Sequence, residues 1–115
     1  MSGIKLKRIY DAPAPEDGYR ILVDRLWPRG QRKEAVQLDE WNKDIAPSPA
    51  LRKWFNHQPE RFEAFSAQYQ EELEAKAGEL DRLRDIARTK RVTLLYAAKD
   101  ELHNQAIVLK NVLDT

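Results

Sequence analysis

Two stretches of this chain are apolar without interruption, and they limit its folds more than any other feature. One is Ile21-Leu22-Val23, within residues 19–27; the other is Val92-Thr93-Leu94-Leu95-Tyr96-Ala97. Both are rich in β-formers, and charged residues flank the second. A strand with one face in water alternates apolar and polar residues, whereas an unbroken run needs cover on both faces. Such strands belong to parallel sheets enclosed by other layers, so the chain is expected to form an α/β fold, a layered domain with a small, mostly parallel sheet flanked by helices.

The helices for that cover are legible between the two strands. Ser48-Pro49 reads as an N-cap followed by proline at the first helical position. Leu51, Trp54 and Phe55 line one face of the short helix that follows. Pro59 opens a second helix, in which Phe62, Phe65, Tyr69 and Leu73 recur at three and four. Gly78 separates it from a third, striped by Leu80, Leu83, Ile86 and Ala87. Asp100 is expected to cap the last helix, which carries Ile107, Val108, Val112 and Leu113. At the other end, residues 4–9 form a short strand. The two prolines and glycine of residues 11–18 make a loop, and the strand at residues 19–27 is expected to run until Pro28 stops it. Residues 38–45 fit either a helix or an extended segment, the latter preferred.

The chain's 115 residues suit one domain, spanning residues 1–115. With 42% apolar and 34% charged residues it is globular in type, and no apolar run nears the ~20 residues of a membrane span. There is no cysteine, which excludes disulfides, thiolate metal sites and a thiol nucleophile. A start without an apolar leader, with the lack of cysteine, implies the cytoplasm. Net charge is +1 but uneven. Residues 1–33 hold eight Lys/Arg against four Asp/Glu, and residues 34–75 hold four against nine. Two histidines without ligand spacing argue against zinc, and no cofactor is implied. The acids Glu71 and Glu72 read as a solvated helix face.

Several segments, in order, resemble a known family. They are Asp17-Gly18-Tyr19-Arg20, Val23-Asp24-Arg25-Leu26-Trp27-Pro28-Arg29-Gly30, Trp41-Asn42-Lys43-Asp44-Ile45-Ala46-Pro47-Ser48, Leu51-Arg52-Lys53-Trp54-Phe55 and Leu94-Leu95-Tyr96-Ala97-Ala98-Lys99-Asp100. Together they resemble the YeaO-like branch of the domain-of-unknown-function family numbered four-eight-eight, over nearly the whole chain. The resemblance implies a compact α/β domain and brings no activity. The wider family often ends its last strand in cysteine and carries Cys-His-Arg in the next helix. Here Tyr96 takes the first position and Asn104, Gln105 and Ala106 the others, so thiol chemistry does not carry over.

Two clusters could carry chemistry. In open α/β sheets ligands bind beyond the carboxyl ends of the strands, where Asp24, Arg25, Trp27 and Arg29 are expected. Arginine offers a charged planar fork suited to phosphate or carboxylate, and two arginines around an aromatic could hold a base or a phosphoester. The structural alternative makes Trp27 core and Arg25 one half of an ion pair. The second cluster, Asp100, His103 and Asn104, follows the best strand, where free N–H groups at a helix start attract anions. Its alternative is a helix cap beside an ordinary surface histidine. Joined, the two clusters lead to the expectation of a binding module for a small anionic ligand, nucleotide or nucleic-acid phosphate. Arg25 and Arg29 would hold the anion, with Trp27, Lys43, Tyr96 and Asn104 around it. If there is hydrolytic chemistry, His103, Asp24 and Asp100 are its acid–base candidates. The rival is a non-catalytic protein-interaction domain in which residues 24–30 are structural.

Overall fold

The computed structural model describes residues 3–115. Four strands, β1 (Ile4–Arg8), β2 (Tyr19–Leu22), β3 (Glu40–Trp41) and β4 (Val92–Tyr96), form one sheet in the order β1-β4-β2-β3, parallel throughout. Five helices accompany it: α1 (Lys33–Val36), α2 (Pro49–Phe55), α3 (Phe62–Glu74), α4 (Ala77–Thr89) and α5 (Gln105–Asp114). The expected α/β layering is present. Among the described residues no helix is long and apolar enough to cross a membrane.

Register explains the unbroken apolar runs. Leu6, Leu94 and Ile21 form one row across the sheet, on the face that packs with Leu51, Phe65, Tyr69, Leu80 and Leu109 of α2–α5. The adjacent row, Lys7, Leu95, Leu22 and Trp41, lies on the opposite face. There Leu22 and Leu95 pack with Ile9, Val36 and Trp27. β4 is buried along its whole length because both layers close over it. The layers are unequal: four helices cover one face, and only α1 and loops cover the other.

That thin side includes a charged cluster. Lys5, Thr93 and Arg20 form a row on it. The wholly buried carboxylate of Asp17 lies 2.8 Å from Lys5 Nζ, 3.0 Å from Lys7 Nζ and 2.6 Å from Arg20 Nη1. It also accepts the Ala14 N–H, at 3.0 Å. The rest of the Arg20 guanidinium donates to the Val36 and Gln37 carbonyls, capping the end of α1. Burial alone would raise the Asp17 pKa, but the Lys5, Lys7, Ala14 and Arg20 contacts outweigh it and hold the group well below the usual carboxylate range.

Three local expectations change and one, for residues 38–45, is refined. β2 stops at Leu22 rather than continuing to Trp27, because after Val23 donates to the Leu95 carbonyl the Asp24 side chain, not a backbone carbonyl, accepts the Ala97 N–H. Residues 38–45 supply only the two-residue strand β3, pinned by Trp41 Nε1 donating to the Asp24 carbonyl at 2.7 Å. α5 begins at Gln105 with Asn104, not Asp100, as its cap; the Asn104 side chain accepts from the Ile107 N–H. Glu72 is not merely solvated: it accepts from the Ser48 N–H and hydroxyl at 2.9 and 2.6 Å, bracing α3 against the start of α2.

Candidate functional site

β2 and β4 are neighbours whose chains leave in opposite directions. From β2 the chain passes to α1 on the thin side, and from β4 to α5 on the thick side. Such divergence opens a crevice at the carboxyl ends of the strands. A cavity of about 690 Å³ lies there, within the size range of small-ligand sites. Four chain segments build it: residues 24–29 after β2, residues 47–57 around α2, Phe65 of α3, and residues 97–105 from the end of β4 to the start of α5.

Asp24 ties the first of these segments to the last. One carboxylate oxygen accepts the Ala97 N–H at 2.9 Å and the other accepts from the Gln105 amide. Burial pushes its pKa up to about 6; the Ala97 N–H, Gln105 and the nearby charge of Arg52 pull the other way without cancelling the effect. Between about pH 4 and 6 the folded protein therefore retains a proton that the unfolded chain, at its ordinary value of 3.8, has already released. Stability conferred by that proton is present below pH 4 and lost as pH rises through 6, by up to about 3 kcal/mol. Asp24→Asn should abolish this loss. Urea unfolding of parent and variant from pH 4 to 7 should show the variant gaining relative stability as pH rises; parallel curves would refute the assignment.

Arg25 is fixed differently. Its Nε donates to the Pro47 carbonyl at 3.0 Å and its Nη2 to that of Ala46 at 3.1 Å. The guanidinium is thus oriented by neutral groups, and its charge is not cancelled. Arg29, Arg52 and Lys99 also line the cavity. Among the described residues none of these four cations has an acidic partner within ion-pair distance; many surface cations of the chain share that state, and what distinguishes these four is that they converge on one cavity. The ion pair that the structural alternative required for Arg25 is absent. Trp27 forms part of the apolar wall and is held at both ends: Nε1 donates to the Gln31 carbonyl at 2.8 Å, and its ring meets Trp41 edge-on at 5.1 Å.

The cavity brings together five of the residues singled out in the sequence: Asp24, Arg25, Trp27, Arg29 and Asp100. Four others lie outside it. Lys43 rests over the Trp41 ring at 4.2 Å. Tyr96 is buried in the core, where burial and then the Glu101 charge raise its pKa. Asn104 is buried as the α5 cap and donates to the Asp100 carbonyl. His103 turns to the far side of its loop, where its ring packs edge-on to Phe62 at 5.2 Å and Nδ1 lies 2.9 Å from Asp100. The N–H groups expected to receive an anion after β4 are already occupied, because Asp100 accepts those of Leu102 and His103. Those contacts hold the Asp100 pKa below its ordinary value, Leu102 contributing most.

Arg52, His57, Lys99 and Gln105 reach the cavity without having been given a role in it. Arg52 and Lys99 stood inside the segments that carried the family resemblance. His57 follows Asn56 at the end of α2, and both have positive φ, 48° and 54°, which turns the chain back toward the crevice. The sequence marks Gln105 only as taking a position of the wider family's Cys-His-Arg run.

Comparison with known proteins agrees over the full described length. The family model described as the inactive DUF488-N3 subclade matches residues 3–115. Uncharacterized protein YeaO of Escherichia coli is 49% identical over 110 residues, covering 96% of each chain. Uncharacterized protein Rv3073c of Mycobacterium tuberculosis is 42% identical over 111 residues, 96% of this chain and 93% of the relative. No solved structure gives a significant match.

Proposed function

The chain belongs to the inactive DUF488-N3 subclade, and from that premise we propose that it is a cytoplasmic binding module for a phosphate-bearing ligand, either a small molecule or a nucleic-acid phosphate, held in the cavity beyond β2 and β4. The observation that carries this reading is the set of four cations without acidic partners around one cavity, with Arg25 oriented by the Ala46 and Pro47 carbonyls. A guanidinium fixed in advance loses little freedom on meeting an anion. Binding without hydrolysis is favoured by two facts. The subclade is described as inactive, and both oxygens of Asp24, the buried acid, already accept hydrogen bonds from the chain.

Inorganic phosphate tests the reading directly. At constant ionic strength it should raise the melting temperature of the parent protein in proportion to the logarithm of its concentration. Arg29→Gln and Arg52→Gln remove exposed cations, so they should leave the ligand-free melting temperature nearly unchanged and weaken phosphate several-fold each. Failure of phosphate, pyrophosphate and sulfate to stabilise the parent would remove the proposal and favour the rival reading, a protein-interaction domain.

A further inference from the structure

The four cations are not the only polar groups that line the cavity. Asp24 and Gln105 line it too, with Trp27, Leu26, Pro28 and Pro47 adding apolar surface. The Gln105 amide nitrogen donates to Asp24, which leaves the Gln105 carbonyl oxygen without a partner in the chain among the described residues. The polar groups offered there are therefore acceptors: the Gln105 amide oxygen, and the second lone pair of each Asp24 oxygen, the first being taken by Ala97 or Gln105. A phosphate has no use for acceptors. A planar heterocycle with neighbouring N–H donors does, and its face suits an indole whose position is already set by Gln31 and Trp41.

Resting on the anion-binding reading above, we infer that the cavity holds a nucleoside phosphate, with the phosphate at Arg25, Arg29, Arg52 and Lys99 and the base against Trp27, its N–H edge turned to Asp24 and Gln105. Among the nucleobases guanine fits best. Its N1–H and exocyclic amino group lie side by side on one edge, and a carboxylate accepts both at once. Adenine and cytosine present an acceptor beside their amino group, which would face Asp24 with like polarity.

Calorimetric titration of the parent chain with guanosine monophosphate, inosine monophosphate, adenosine monophosphate and inorganic phosphate separates the possibilities. Guanosine monophosphate should bind about tenfold or more tighter than phosphate, and inosine monophosphate, which lacks the amino group, several-fold weaker than the guanine nucleotide. Gln105→Leu and Asp24→Asn should bring the guanine nucleotide down toward the level of phosphate and leave phosphate itself unchanged. The nucleotide comparison on the unaltered protein stands even if a variant folds poorly. A 5′-phosphorylated guanine oligonucleotide that binds at least as tightly as the mononucleotide would support the same pocket with nucleic acid as the source. If all nucleotides bind no better than phosphate, the base subsite is wrong and the anion site survives. If neither phosphate nor any nucleotide binds, both readings fall.

Discussion

Asp17→Ala should cost about 3–5 kcal/mol of folding stability, the range for stripping one partner from a buried charge pair, and lower the melting temperature by roughly 10–25 °C. The carboxylate is the anion shared by Lys5, Lys7 and Arg20. The lysines are partly exposed and can turn to water, but Arg20 is buried. Without Asp17 its Nη1 loses its acceptor while its remaining donors stay bound to α1 carbonyls. The Ala14 N–H also loses its acceptor. Asp17→Asn keeps an acceptor and removes the charge, so it should fall between the parent and the alanine variant. Denaturant unfolding at neutral pH measures both. A loss below about 1 kcal/mol for Asp17→Ala, the scale of an exposed ion pair, would show that the cluster is only surface decoration.

Gly18→Ala should be nearly as damaging, at about 2–4 kcal/mol. Gly18 has φ 66° and ψ −126°, a conformation other residues rarely adopt. Space is short as well: an added Cβ would lie 2.3 Å from the Arg91 carbonyl oxygen and 2.9 Å from the Arg91 Cβ. That oxygen cannot simply withdraw, since it accepts the Tyr19 N–H at 2.8 Å and starts the pairing of β2 with β4. Gly30 provides the control. Its φ is also positive, at 79°, but nothing lies within 4 Å of the added atom, so Gly30→Ala should cost only the conformational part, about 1–2 kcal/mol. Equal losses at the two positions would show that the approach to Arg91 does not matter.

The sheet was legible because burial on both faces leaves an unmistakable trace: Ile21 to Val23 and Val92 to Tyr96 needed no partner to be recognised. The caps and stripes of α2 and α3 were legible for a similar reason, since Ser48, Pro49 and the Phe62–Leu73 periodicity act locally. What failed to show depended on contacts distant in the chain or on a local turn that imitates a helix cap. β2 ends early because Asp24 meets Ala97, 73 positions away. α5 starts late because Asp100 closes a turn on its own following N–H groups, a use of aspartate that resembles a helix cap in sequence. His103 and Asn104, assigned to the pocket by nearness to β4, lie outside it, while Gln105, the next residue, reaches it and Arg52 arrives from α2. The run after β2 lies at the crevice as its position in the sequence suggested, and of the second cluster Asp100 alone lines the cavity.

The brevity of β3 bears on how these molecules meet one another. A sheet with open margins can recruit a strand from a second molecule. Here one margin offers only the two residues Glu40 and Trp41, too little ladder to hold a visitor. The other margin is β1, which carries Lys5, Lys7 and Arg8 in its five residues; a visiting apolar strand would have to strip water from these charged side chains to align there. The fold thus guards itself against runaway self-association at both borders, once by shortness and once by the cost of drying charged groups.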